Sequence, residues 1–160
     1  MKRITLIRHA KASWHDPNRS DFERTLNLRG MRDASEMGQR LALRSIYPDR
    51  IISSPATRAM QTAELIAREI GYPIEQITQR TNVYEAHFTD LLAIIHRVDA
   101  RFKHVMLIGH NPALTDLCDH LAENSIESLL PCGIFCLEFD VQSWSEIARE
   151  TGVVVFHDQP

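Results

Sequence analysis

The chain has 160 residues, of which 44% are apolar and 24% charged. That mix excludes collagen-like, coiled-coil and disordered classes. A chain of this length can bury roughly 68–70% of its unfolded surface, so one domain spanning residues 1–160 is expected. With 18 basic against 21 acidic residues the net charge is −3. This disfavours a wholly basic nucleic-acid binder while leaving room for a local basic pocket.

The apolar run near the start, Ile4 to Ile7, is too short for a leader or a membrane span, and Arg8 ends it. Three cysteines, Cys118, Cys132 and Cys136, do not make a secreted disulfide framework. A cytoplasmic location is the expectation.

Ile4 to Ile7 is rich in β-branched residues and predicts a buried strand. A polar loop follows from His15 to Arg24, with Pro17 and Asn18 marking turns. Met31, Ala34, Met37, Leu41 and Ala42 recur at helical spacing after Leu28, with Asn27 placed to cap that helix. Arg50 to Ser53 predicts a second strand. Ser54-Pro55 predicts a capped start to the next helix, whose stripe runs through Ala59, Thr62, Ala63, Ile66, Ala67 and Ile70 to a stop at Gly71.

Ile74 to Thr78 reads as a third strand and His87 to Val98 as a helix. His104 to Gly109 is the most strand-like run, and Asn111-Pro112 repeats the cap-plus-proline start before Leu114, Leu117, Cys118 and Leu121. Ile134 to Phe139 and Val153 to Phe156 predict two final strands. Strands alternating with amphipathic helices imply an α/β fold, a mostly parallel sheet covered by helices on both faces in three layers. The last two strands lack a strong helix between them, so an antiparallel edge is expected.

Three strand-to-helix junctions carry unusual residues. The first ends in Arg8-His9, the second runs from Ser53-Ser54-Pro55 to Arg58, and the third delivers His110. Ligands of open α/β sheets sit beyond the carboxyl ends of the strands, so parallel neighbours would gather two arginines and two histidines in one place. Helix starts favour anions and guanidinium forks match phosphate oxygens, which makes a phosphoryl group the expected ligand. Neither GxxxxGK[ST] nor GxGxxG occurs.

Ile7-Arg8-His9-Ala10 resembles the Arg-His-Gly signature of the histidine phosphatase superfamily, whose fold is that of the cofactor-dependent phosphoglycerate mutases. Ser53 to Ala63 resembles its second arginine block and Gly109-His110-Asn111-Pro112 its second histidine block. The short branch of SixA-type phosphohistidine phosphatases is the most similar, through Arg8-His9-Ala10-Lys11, Arg24-Thr25-Leu26 and Tyr84-Glu85-Ala86. Ala10 departs from the superfamily glycine. Alanine there implies that positive φ and close ligand approach are not needed, or that the loop is shifted.

The resemblance implies that His9 is a nucleophile that becomes a phosphohistidine and is then hydrolysed. Arg8, Arg58 and His110 would bind the phosphoryl oxygens, with Arg24 as a further contact at the rim. Glu85 is the candidate proton donor, with Asp16, Asp21 and Glu23 as reserve acids in the loop. His15 and His87 lie close enough in sequence to these residues to touch substrate, whereas His96, His104, His120 and His157 read as surface or structural. Cys132 and Cys136 carry no metal-site spacing, and no cofactor or metal is expected.

The expected activity is hydrolysis of phosphohistidine on a protein, by a metal-independent phosphatase. The alternatives are a small-molecule phosphomonoesterase with the same pocket and a non-catalytic phosphoprotein-binding domain. Mutase activity is disfavoured because only 25 positions separate Glu85 from His110, too few for an inserted lid. A phosphoprotein is the expected partner, with no nucleic acid and no membrane.

Overall fold

A computed structural model of the protein describes residues 1–14, 16–123 and 126–160. Six strands form one sheet: β1 (Lys2–Arg8), β2 (Arg50–Ser53), β3 (Thr78–Gln79), β4 (His104–Gly109), β5 (Ile134–Phe139) and β6 (Val153–Asp158). Their order is β3-β2-β4-β1-β5-β6. Strands β1 to β4 are mutually parallel, and β5 runs antiparallel to both β1 and β6. The antiparallel strand is therefore an interior one. The edge strand β6 runs in the same direction as β1, because two reversals restore it.

Helices α1 (Leu28–Leu43) and α2 (Thr57–Ile70) cover one face, where Ile7, Ile51, Met106 and Ile108 pack against Ala34, Met37, Ala63 and Ile66. Helices α3 (Phe88–His96) and α4 (Ala113–Leu121) cover the other, over Ile4, Leu6, Val105 and Leu107. Neighbouring residues of β1 and β4 thus face opposite layers, as a period of two requires. Both faces are buried, which is why these strands read as continuous apolar runs. The result is the expected three-layer α/β sandwich.

Asn27 caps α1 by accepting from Gly30 N at 2.8 Å. The apolar stripe of that helix begins at Ala34, since Leu28 and Met31 are exposed. Helix α2 starts at Thr57, two residues later than Pro55. Ser54 Oγ instead accepts from Ala56 N at 3.2 Å and shapes the turn ahead of the helix. Gly71, at φ 74°, ends α2 in the left-handed conformation. Ile74–Gln76 is a 3-10 turn, so the third strand is only Thr78–Gln79. Among the described residues, no helix is long and apolar enough to cross a membrane.

Candidate active site

Parallel pairing brings the three junctions together. Arg8 lies opposite Gly109, and Ser53 opposite Ile108. Beyond the last paired residues, His9 N donates to Gly109 O at 3.0 Å and Ser54 N to Ile108 O at 3.0 Å. Both outer strands are thereby tied to the carboxyl end of β4, where His110 emerges. The His9 and His110 rings lie with centroids 5.1 Å apart.

The His9 ring makes one short hydrogen bond and one long one. Its Nδ1 is 2.8 Å from Ala10 O, and a carbonyl oxygen only accepts, so Nδ1 carries the proton. Nε2 therefore carries no proton, and its lone pair accepts a long bond from Arg58 Nε at 3.4 Å. Burial, followed by the positive charges of Arg58, Arg8 and Arg24, pushes the His9 pKa down to about 4 against the pull of the Ala10 bond. His110 is pushed down to about 3, by burial first and then by His9 and Arg58. Its Nε2 is hydrogen-bonded to the fully buried Ser54 Oγ at 2.8 Å. Both rings are therefore neutral at physiological pH.

Ala10 is buried, takes no positive φ, and its N–H donates to Thr62 Oγ1 at 2.9 Å. The departure from glycine therefore meets no backbone demand here.

Arg8 Nη1 donates to Leu129 O at 3.0 Å, while its Nε is buried and has no partner among the described residues. Buried N–H groups are almost always bonded, so an unpartnered cationic donor beside His9 marks a place for an anion. Burial also lowers the pKa of Arg8.

Arg58 is almost fully buried, and Asp21 engages both of its terminal nitrogens. Nη1 donates to the Asp21 backbone carbonyl at 2.7 Å and Nη2 to Oδ2 at 3.1 Å. Arg24 Nη1 reaches Asp21 Oδ1 at 3.0 Å, and Tyr84 OH donates to Oδ2 at 2.7 Å. The Tyr84 bond, then Arg24 and Arg58, hold the Asp21 carboxyl well below the usual range, and the same bond raises Tyr84 to about 12. Arg24 also donates to Ser13 O at 3.0 Å and lies 4.3 Å over the exposed Trp14 ring.

The structure thus brings Arg8, His9, Arg58 and His110 together, with Arg24 joined to them through Asp21. Glu85 is exposed, sits at φ 54° and makes no hydrogen bond among the described residues. His87 caps α3 in a reciprocal box with Asp90. His104 bonds Thr5 Oγ1 at 2.7 Å and His96 bonds Ile147 O at 2.7 Å. His15 lies outside the described residues. The sequence placed Ser54 and Thr62 in the Ser53–Ala63 block and Tyr84 in the Tyr84-Glu85-Ala86 motif, but gave none of the three a role as a partner of the site residues. Cys118, Cys132 and Cys136 are free and buried, and burial raises all three thiols, Cys132 to about 12. Among the described residues, no three His, Cys, Asp or Glu side chains are grouped to hold a metal ion.

Comparison with known proteins bears on the family and the fold. An uncharacterised chloroplastic protein of Arabidopsis thaliana is 28% identical over 159 residues, spanning 94% of this chain and 72% of that protein. Two further curated relatives are spanned over only 26% and 38% of their lengths. A protein of Agrobacterium tumefaciens, provisionally assigned as the phosphohistidine phosphatase SixA, superposes with a TM-score of 0.86 at 26% identity. That match covers 99% of this chain and 98% of the other. The protein histidine phosphatase SixA in complex with tungstate superposes at 0.84 with 18% identity, over 98% and 96% of the two chains, and shares the fold. A sequence profile matches residues 4–107 and contains the first two of the three junctions that meet around His9: the chain belongs to the histidine phosphatase superfamily (branch 1).

Proposed function

We propose that this chain, folded as one domain over residues 1–160, hydrolyses phosphohistidine on a protein. The observation that carries the reading is the state of His9. Its Nδ1–H is committed to Ala10 O, its unprotonated Nε2 accepts only a long 3.4 Å bond from Arg58 Nε, and its pKa of about 4 keeps the ring neutral. A neutral imidazole beside arginines is a nucleophile poised for an electron-poor phosphorus.

In this reading His9 Nε2 forms a bond to phosphorus as the bond to the substrate nitrogen breaks. The substrate imidazole departs with the electron pair and takes a proton from water. Water then attacks phospho-His9, releasing phosphate and regenerating the ring. Arg8, Arg58 and His110 hold the phosphoryl oxygens, and Arg24 serves the rim once Asp21 yields it. Asp21 is held ionised in the resting site and supplies no proton there. Glu85 is the proton donor where the leaving atom is oxygen.

The rim favours a protein substrate. Trp14 is 73% exposed and Phe22 stands beside Tyr84 with ring centroids 5.1 Å apart, giving apolar surface around the cluster. The Agrobacterium neighbour bears the phosphohistidine phosphatase name, and the tungstate-bound neighbour holds a tetrahedral oxyanion. Metal independence belongs to the same proposal, because the cluster supplies cationic donors and, among the described residues, no Mg²⁺ cage of carboxylates. Three free cysteines suit a reducing compartment such as the cytoplasm.

The test compares kcat/KM on a phosphohistidine protein, a sugar or glycerate phosphate and an aryl phosphate, for wild type and Glu85→Gln. The protein substrate is expected to lead by at least tenfold, about 1.4 kcal/mol. Glu85→Gln is expected to impair the phosphate esters more than phosphohistidine. A free phosphomonoester as the better wild-type substrate would replace this reading by a small-molecule phosphomonoesterase.

A further inference from the structure

A cavity of about 470 Å³ lies at the β2–β3 side of the sheet, built by residues outside the cluster around His9. Four arginines border it: Arg50 at the start of β2, Arg80 after β3, Arg97 at the end of α3, and Arg101 ahead of β4. The one carboxylate in its wall, Asp99, pairs with Arg101 at 3.6 Å. Arg80 uses Nη1 on Gln79 O at 3.2 Å. The guanidiniums of Arg50 and Arg97 make no hydrogen bond or ion pair among the described residues. The floor is apolar, formed by Ile52, Ile94 and Val98.

The grouping lies in a chain that carries more acidic than basic residues. Four like charges around one concavity repel one another, and an anion relieves that repulsion. The dipole of α3 accounts for a cation at Arg97, since its C-terminal end is negative, but not for the other three. Phe102 adds a second feature: its ring lies 5.5 Å from the Arg50 guanidinium and 4.8 Å from that of Arg101. Guanidinium planes stack on aromatic faces, so this wall presents a surface on which a further flat ring can lie. The volume falls within the usual span for small-molecule sites, roughly 300–1,000 Å³.

We propose that this cavity is a second ligand site, separate from the His9 cluster, for a small organic phosphate that carries a planar ring. The phosphate is bound by the forks of Arg80 and Arg97. The ring lies against Phe102 and the aliphatic floor. Its concavity distinguishes it from a flat basic face that docks an acidic protein segment, where the ring-binding wall would have no use.

The test uses 1-naphthylphosphonate, whose carbon–phosphorus bond a phosphatase does not cleave. Amide chemical shifts of the ¹⁵N-labelled full chain are followed during titration, with and without vanadate. Shifts are expected at Arg97, Val98, Arg101 and Phe102, saturating at one equivalent and persisting with vanadate present. Arg80→Ala/Arg97→Ala removes two exposed side chains outside the core and is expected to weaken this binding at least tenfold. Turnover without ligand is expected to stay within twofold of wild type. Shifts confined to His9 and His110, or binding undiminished in the double variant, would overturn the proposal. Inorganic phosphate binding as tightly as the phosphonate would overturn the ring-binding assignment. A poly-glutamate peptide shifting these amides while the phosphonate does not would replace the site by an acidic-protein docking surface.

Discussion

Asp21 gives Arg58 two acceptors at once, its backbone carbonyl at 2.7 Å and its carboxylate at 3.1 Å. The guanidinium assigned to the phosphoryl group already holds an anion supplied by its own chain. The same carboxylate takes Arg24 and Tyr84, so three polar donors converge on one exposed side chain. An incoming oxyanion must displace it or share Arg58 with it.

Asp21→Asn removes that competing charge while keeping the side-chain shape. The inhibition constant for vanadate or inorganic phosphate is expected to fall about tenfold, roughly 1.4 kcal/mol. If Asp21 served only to orient Arg58, the variant would bind oxyanions more weakly. Steady-state inhibition of the two proteins decides between these outcomes.

His9→Ala is expected to abolish turnover with the circular dichroism spectrum retained, because the ring's one strong bond is to the neighbouring Ala10 carbonyl. Acid-quenched wild-type reactions should carry acid-labile phosphate on His9 by peptide mapping. Phosphate on a serine or aspartate, or variant activity within about tenfold of wild type, would remove His9 from the nucleophile's role.

His9 and His110 are held neutral, at about 4 and 3 against an ordinary 6.5, and His104 is lowered to about 4. Heteronuclear NMR of the rings should therefore show no titration of these three between about pH 5 and 8, with His9 protonated at Nδ1. The linkage to stability has a definite sign. As pH falls below 6.5 the unfolded chain takes up protons that the folded chain refuses. Stability is full above 6.5 and declines towards 4, and urea unfolding at about pH 5 should give a lower free energy than at about pH 7.5. An inflection near 6.5 in the His9 ring would contradict the burial seen here.

Gly30 lies in the first turn of α1, where a Cβ would stand 2.1 Å from Lys11 O. The chain segment leaving His9 presses against the helix at this point, and Asn27 N donates to the same carbonyl at 3.0 Å. Gly30→Ala is expected to cost roughly 1–3 kcal/mol by overpacking. It should lower Tm by several degrees, and kcat/KM should fall as the Lys11–Trp14 segment moves. An unchanged Tm would show that the segment yields freely.

The three junctions were legible because their chemistry is local. Each places its candidate site residue within a few positions of a strand end, and the parallel arrangement follows from strands alternating with helices. Arg58 and His110 needed no contact information beyond that. The partners that set their state were hidden, because they depend on pairs remote in sequence: His110 with Ser54, Ala10 with Thr62, and Asp21 with Arg58 and Tyr84. Asp21 was visible only as one of several loop acids. Ser54-Pro55 resembled a helix cap, yet Ser54 turns its hydroxyl to the histidine and the preceding turn, which delays α2 to Thr57. The third strand was overread because Ile74 and Ile77 pack from a 3-10 turn and its flank rather than from a ladder.

The three sealed thiols also bear on how this protein meets chemical stress. Phosphatases that attack through a thiolate lose activity when that sulfur is oxidised or alkylated, since the reactive form is the charged one. Here the thiols are buried and kept protonated, and the attacking atom in the proposed mechanism is an imidazole nitrogen. Hydrogen peroxide or iodoacetamide, at doses that silence a thiolate enzyme, should leave kcat/KM within about twofold of the untreated value. A loss recovered with dithiothreitol would place a reactive sulfur at the site. On the proposed mechanism, a nitrogen nucleophile would go on removing phosphate during an oxidant burst, when thiolate phosphatases fall silent.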